Sequence, residues 1–255
     1  MSATIRTVSY PTGREHKRLD IHNSPQAEGP CVLLWHGIGT DERDVMVPLA
    51  QDIAGLGLTV LVPDWRSDTP DEGRAHLTDS LRFARDFAGG SRQVVVAGWS
   101  AGAGAALGVA LDPEPVDGRP PAAVVGIAGG YRRPARTTGA VPLQALGRAT
   151  ARVPVRLVHG TDDASVSVDS SRELHEALRA HGWDCALSEQ ATDHAGVLGC
   201  VYDAAAGRCV AGASVRAFGL ATAQVVAAVA RSVQPGDPAA VKHHSPITTP
   251  LSTPL

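Results

Sequence analysis

The stretch VVVAGWSAGAG, residues 94–104, places one serine between closely spaced glycines. An apolar run precedes Ser100 and a run of small residues follows it, which predicts a strand, a sharp turn and a helix. In such a turn Gly98 and Gly102 leave room for the bend, and the serine hydroxyl is exposed as a nucleophile. An ordinary serine at a helix N-cap would explain the same residues. The catalytic partners that the rest of the chain supplies must decide between these interpretations.

A serine hydroxyl is a weak nucleophile and needs a general base, which an acid must orient. Among the histidines weighed as bases, His194 alone follows a short predicted strand, in the loop TDHAG. The acid is expected after a strand between serine and base, where LVHGTDD supplies Asp162 and Asp163. Both aspartates would also suit a turn or a helix cap. The residues predict a triad in the order serine, aspartate, histidine, with the acid open between two neighbours.

The elements that position these residues alternate along the chain. Continuous apolar runs such as CVLLW, VVVAGW and AVVGIAG are separated by helical patterns. This alternation predicts an α/β protein whose central sheet is mostly parallel and covered by helices on both faces. Ahead of these runs, TIRTVSY and KRLDIHN alternate in polarity, which is typical of antiparallel edge strands. The predicted site residues follow strands, where open α/β sheets place their ligands.

These features resemble the α/β-hydrolase superfamily over roughly residues 5–234, and RLDIH with PDWR resembles its esterase and formamidase-like branches. The superfamily often places its acid three residues after the glycine of an H-G-x-x-D turn, which favours Asp163. The loop His36-Gly37-Ile38-Gly39 resembles its H-G-x-G loop, although H-G-G-G is typical of those branches. The resemblance implies that the Ile38 amide helps to bind the oxyanion and that His36 braces the loop. The Ala101 amide, at the predicted helix N-terminus, is the other expected donor.

The predicted pocket is open, with a minimal lid, because residues 130–152 have room for about one helix and a turn. Trp99 and Tyr131 are the candidate substrate-binding residues, and buried packing is the alternative for Trp99. Arg132 and Arg133 near the pocket edge would either bind an acidic substrate or lie solvated on the surface.

Two further pairs of residues are of interest. Asp64 and Arg66 are expected to pair and to fix the loop after their strand, in preference to anchoring substrate. Residues 199–212 predict a β-hairpin at the rim of the site, with Cys200 and Cys209 facing each other. A disulfide between them is one possibility, and two reduced thiols are the expectation for a cytoplasmic protein.

Composition limits the function classes. The chain has 255 residues, with 23 basic and 26 acidic side chains, so nothing predicts a nucleic-acid or anionic-membrane partner. No spanning window and no secretory signal are identified, which makes the cytoplasm the expected location. We expect a catalytic domain over residues 1–234 and a disordered tail over residues 235–255, which are rich in Pro, Ser and Thr.

The expected activity is that of a carboxylesterase, a serine hydrolase that cleaves short or medium acyl esters of small molecules through an acyl-enzyme. Neither a metal nor an organic cofactor is expected. The alternatives are an amide-cleaving relative, such as a formamidase or a peptidase-like hydrolase, and a hydrolase-fold receptor that binds a ligand. The sequence predicts no oligomeric state.

Overall fold

The computed structural model describes residues 4–13, 15–23, 29–90 and 92–233. The predicted tail, residues 235–255, therefore lies outside the described residues. Eight described strands form one sheet in the order β1-β2-β4-β3-β5-β6-β7-β8. The strands are β1 (Thr4–Thr12), β2 (Glu15–Asn23), β3 (Cys31–Trp35), β4 (Thr59–Pro63), β5 (Val94–Trp99), β6 (Ala123–Ile127), β7 (Val155–Gly160) and β8 (Cys185–Gln190).

The sheet is parallel except at one edge. β1 pairs with β2, and β2 pairs with β4, both antiparallel, whereas β4, β3, β5, β6, β7 and β8 run parallel to one another. The prediction of a mostly parallel sheet with two antiparallel edge strands is confirmed. All parallel strands therefore end at the same edge of the sheet, where their connecting loops meet.

Helices cover both faces of the sheet. They are α1 (Val47–Gly55), α2 (Arg74–Phe87), α3 (Ala101–Leu111), α4 (Pro142–Ala145), α5 (Asp169–Ala180) and α6 (Arg216–Ser232). Val94 and Val96 of β5 pack on the side of α2, α3 and α5, whereas Val95 and Ala97 pack on the side of α1 and α6. Successive side chains of a strand point to opposite faces, so a strand buried on both sides must be apolar throughout.

The segment after β6 is short and packs against α3. Its only helix among the described residues is α4, followed by a short 3-10 turn at Leu146–Arg148. The hydroxyl of Thr137 donates to the carbonyl of Ala105, which fastens this segment to the flank of α3. The predicted minimal lid is confirmed, because the described part of this segment holds one four-residue helix and packs beside α3.

A separate two-stranded hairpin follows the loop that carries His194. Its strands are β9 (Cys200–Asp203) and β10 (Arg208–Ala211), as the sequence predicted. The register places Cys200 opposite Ala211 and Cys209 opposite Tyr202, and both cysteines are free thiols. The cysteines therefore do not face each other directly, which corrects the predicted register.

The last helix corrects an expectation about apolar segments. Residues Ala213–Ser232 are long and apolar enough, by composition alone, to cross a membrane. In the structure, Ala223, Val226 and Ala227 of this helix are fully buried against the sheet. Core helices commonly satisfy the same length and composition test, so the segment is weak evidence for a membrane span.

Candidate active site

The serine lies on a strained turn between β5 and α3. Ser100 has φ 55° and ψ −117°, and its side chain makes no capping hydrogen bond to α3. A serine that caps a helix has extended backbone angles and accepts a hydrogen bond from the first turn. Ser100 does neither, so the N-cap interpretation does not describe it. Strain of this kind at a non-glycine residue is typical of functional sites.

The glycines on either side of Ser100 are required by close backbone approach. A Cβ on Gly98 would overlap the carbonyl group of Gly102. A Cβ on Gly102 would lie 2.5 Å from the His36 carbonyl oxygen and 2.6 Å from that of Trp35. The turn is therefore pressed against the end of β3, which brings the serine next to the loop that begins at His36.

The predicted base, His194, and the predicted acid, Asp163, form a hydrogen-bonded pair. The Nδ1 atom of His194 donates to Oδ2 of Asp163 at 2.7 Å. Carboxylates only accept, so the proton is on Nδ1 and Nε2 is left with a free lone pair. The described residues include no hydrogen bond between Ser100 and His194. Catalytic hydrogen bonds often form fully only when substrate binds, so this geometry is compatible with a triad.

Asp163 is buried and ionised. Burial raises its pKa, but hydrogen bonds from His159 and His194 and from the Val166 amide outweigh that effect and hold the pKa well below its usual range. Its Oδ1 accepts from the amides of Ser165 and Val166, both at 2.8 Å. Asp162 is exposed. The structure therefore brings Asp163, and not Asp162, to His194.

The predicted oxyanion loop is braced as expected. Nε2 of His36 accepts a hydrogen bond from the Trp65 amide at 3.3 Å, and the two rings are stacked. The Gly39 amide is already used, because it donates to Glu42 at 3.0 Å. The amides of Ile38 and Ala101 donate no hydrogen bond to another described residue. Both predicted oxyanion donors therefore remain available.

Of the two predicted substrate-binding residues, Tyr131 is placed differently from the expectation. Tyr131 is 0% exposed in the core among α3, α5 and the sheet, so the prediction that it lines the pocket is wrong. Trp99 is only 6% exposed. Its indole nitrogen donates to the His194 carbonyl at 2.9 Å, and the two rings are 4.9 Å apart. Trp99 thus packs against His194, in line with the buried packing that the sequence had left open.

The structure also shows the partners of the charged residues for which the sequence predicted a role. Asp64 pairs with Lys17 at 3.3 Å and Arg66 with Asp68 at 2.6 Å, so the predicted Asp64–Arg66 pair does not form. Arg132 is exposed and pairs with Glu173.

Sequence reasoning missed two residues of the site, His159 and Glu42. His159 stands in the same LVHGTDD stretch as the acid, and its position at the end of a strand was the signal that could have identified it.

Other candidate sites are less suited to chemistry. A cavity of about 450 Å³ lies beside Val94 and Ala122, where β5 and β6 begin. Ligands of open α/β sheets bind at the opposite, carboxyl ends of the strands. No cluster of three or more His, Cys, Asp or Glu side chains within the described ranges could hold a metal ion.

Solved structures share this architecture. The propionate-bound esterase Est2 of the planctomycete Thermogutta terrifontis aligns with a TM-score of 0.69 and 16% identity, covering 90% of this chain and 94% of that chain. The fold is that of the α/β-hydrolases.

Further α/β-hydrolases agree with this assignment. The esterase domain of a Rhodothermus marinus protein has a TM-score of 0.62 and 18% identity, covering 90% of this chain and 99% of that chain. The acylaminoacyl peptidase of Pyrococcus horikoshii has a TM-score of 0.57 and 12% identity, covering 76% of this chain and 38% of that chain. No protein-family profile and no curated protein sequence matches the chain.

Proposed function

We propose that this α/β-hydrolase-fold protein is a serine carboxylesterase that works through an acyl-enzyme. The observation that carries the proposal is the strained backbone of Ser100, with φ 55° and an uncapped hydroxyl, at a turn pressed against the oxyanion loop. The hydrogen-bonded pair of His194 and Asp163 supplies the base and the acid that such a nucleophile needs.

The reaction follows from the protonation states. Nε2 of His194 takes the Ser100 proton as Oγ attacks the ester carbonyl carbon, and Asp163 stabilises the resulting imidazolium. The amides of Ile38 and Ala101 donate to the oxyanion of the tetrahedral intermediate. His194 then gives its proton to the departing alcohol, which leaves an acyl-Ser100 ester. Water activated by His194 hydrolyses that ester and restores the enzyme.

A minimal lid supports a preference for small acyl esters. The described part of the segment after β6 holds one four-residue helix and is fastened to the flank of α3. Ile38, which is 52% exposed, is an apolar side chain beside the proposed oxyanion donor. Est2 of Thermogutta terrifontis has been solved with propionate bound, and the same esterase has been solved phosphoramylated by tabun. By extension, we expect this chain to accept a short acyl group and to react with an organophosphate.

Amide cleavage is the second candidate. The acylaminoacyl peptidase neighbour supports it at the level of the fold, although this chain spans only 38% of that chain. A hydrolase-fold receptor is the alternative without turnover. A panel of p-nitrophenyl esters of increasing chain length, with an aryl formamide beside them, separates the three. Fast ester turnover supports the esterase. Preference for the formamide supports the amide-cleaving enzyme. Slow turnover with tight retention of the product supports the receptor.

The variant Ser100→Ala tests the mechanism itself. We expect turnover to fall by roughly 10⁶-fold, because the oxyanion donors and binding alone remain. The melting temperature should hardly change, since the hydroxyl makes no capping bond that the variant could remove. An organophosphate should label wild type at Ser100 and leave the variant unlabelled. Retained esterase activity in Ser100→Ala would overturn the proposal.

A further inference from the structure

The acid of the proposed triad is held by two histidines. His159 lies at the end of β7 with a fully buried side chain. Its Nε2 is 3.2 Å from Oδ2 of Asp163 and 2.9 Å from the carbonyl oxygen of Val166. Both oxygens can only accept a hydrogen bond, so Nε2 carries a proton that it shares between them.

The other side of the His159 ring is fixed as well. Its Nδ1 is 2.7 Å from the hydroxyl oxygen of Ser171, a fully buried residue of α5. With the proton on Nε2, a neutral ring accepts the Ser171 proton at Nδ1. The tautomer and the orientation of His159 are therefore both set by the helix that packs behind it.

The two oxygens of Asp163 have separate sets of donors. Oδ1 accepts from the backbone amides of Ser165 and Val166, which fix one end of the carboxylate. Oδ2 accepts from Nδ1 of His194 and lies beside Nε2 of His159. Without His159, Oδ2 would be held by His194 alone, the group that it has to orient.

We propose that His159 is a positioning residue, which rests on the proposed function of Ser100, His194 and Asp163. It holds Oδ2 of Asp163 within hydrogen-bonding distance of Nδ1 of His194 and keeps the carboxylate ionised in a buried site. Its hydrogen bond also lowers the basicity of Oδ2, so that the proton stays on His194 when that ring becomes an imidazolium. Ser171 supports this role by fixing the His159 tautomer.

The test compares variants at position 159. His159→Phe keeps a planar ring and removes the donor, and we expect kcat to fall roughly 10- to 100-fold, by analogy with the partners that orient metal-ligating histidines. KM should stay within about twofold, since the side chain is fully buried and cannot reach substrate. His159→Gln keeps an N–H donor and should recover most of kcat.

The pH profile separates positioning from packing. The Nε2–H dipole of His159 points its positive end at Asp163 and so disfavours the imidazolium of His194. His159→Phe removes this dipole, so the decline of kcat/KM at low pH, the acid limb of the profile, should move to higher pH. His22→Phe is the matched control, because His22 is an equally buried histidine at the far end of the sheet. It should alter the melting temperature and leave the acid limb where it is.

The outcomes distinguish this inference from the proposed function. Should His159→Phe not fold, Ser171→Ala carries the same test, with a smaller loss of kcat and a shift of the acid limb in the same direction. Unchanged kcat and an unmoved acid limb in the folded variants, with Ser100 still labelled by an organophosphate, overturn the role of His159 alone. Retained activity in Ser100→Ala overturns the proposed function.

Discussion

The indole nitrogen of Trp99 donates a hydrogen bond to the backbone carbonyl of His194 at 2.9 Å. The residue before the proposed nucleophile therefore fixes the loop that carries the proposed base. The ring of Trp99 also lies 4.9 Å from the imidazole, at an interplanar angle of 38°. The relative position of Ser100 and His194 thus depends on one side chain as well as on the sheet.

The variant Trp99→Phe tests this coupling. It removes a hydrogen bond worth about 1 kcal/mol, and we expect kcat to fall about fivefold as the His194 loop loosens. Trp183→Phe is the control, because Trp183 is also buried and its indole nitrogen has no described partner. It should lower the melting temperature without changing kcat. Equal kcat values for the two variants would argue against the coupling.

The neighbouring aspartates should differ widely in their effect on turnover. Asp163→Asn removes the carboxylate that orients His194, a change that lowers turnover by about 10⁴-fold in comparable triads. Asp162→Asn alters an exposed turn residue, and we expect a cost of no more than about 1 kcal/mol in stability. Steady-state ester hydrolysis and thermal melting of both variants measure the difference. The reverse ranking would show that the acid is misassigned.

Two glycines near Ser100 should respond in opposite ways to alanine. Gly98→Ala forces a Cβ onto the Gly102 carbonyl, so we expect loss of activity and severe loss of stability. Gly104→Ala adds a Cβ whose nearest contact is 3.5 Å away, in ordinary contact. In a helix this change should stabilise by about 0.5–1 kcal/mol. Thermal melting and ester turnover check both results, and a stable, active Gly98→Ala protein would contradict the description of the turn.

The hairpin should influence chain-length preference more than stability. Arg208 pairs with Asp44, and the Cys200 thiol donates to the Val45 carbonyl at 3.4 Å, so β9 and β10 pack on the segment after the proposed oxyanion loop. We expect deletion of residues 201–210, which joins Cys200 to its register partner Ala211, to change the preferred acyl length.

The measurement is the p-nitrophenyl ester panel with the melting temperature as control. A large drop in melting temperature with an unchanged ester preference would show that the hairpin only stabilises the fold.

Thiol titration of the denatured wild type without reductant should find four thiols, because all four cysteines are free. Burial raises the pKa of Cys200 to about 12, so in the native protein this thiol should react slowly.

Stability should fall on mild acidification. His22 is buried with no described partner for either ring nitrogen, and burial lowers its pKa, an effect that Asp20 partly opposes. The folded pKa lies below the unfolded value of about 6.5, so the stabilisation is complete above that pH and is lost as pH falls toward the folded value. The melting temperature should drop below about pH 6.5, and less steeply in His22→Phe. A decline that is equally steep in His22→Phe would exclude His22 as its source.

The sequence alone was enough to predict the sheet and the serine turn, and it placed the residues of the proposed triad after strands. These are local signals: apolar strands, glycines beside Ser100, and loops at strand ends, where a parallel sheet gathers its connections. Local sequence could not decide whether Asp162 or Asp163 is the acid, because two adjacent aspartates in the same turn fit the same sequence pattern. The contact with His194, thirty-one residues away, distinguishes them.

Tertiary structure decided what depends on partners distant in the sequence. Tyr131 follows a strand end but turns into the core, and Asp64 pairs with Lys17, forty-seven residues away, and not with Arg66. His159 lies only four residues from Asp163, yet its role depends on Ser171 of α5 and on a carboxylate already bound to His194. Side-chain direction and burial are set by the packing of whole elements, and a hydrogen bond forms only where that packing brings donor and acceptor within about 3 Å.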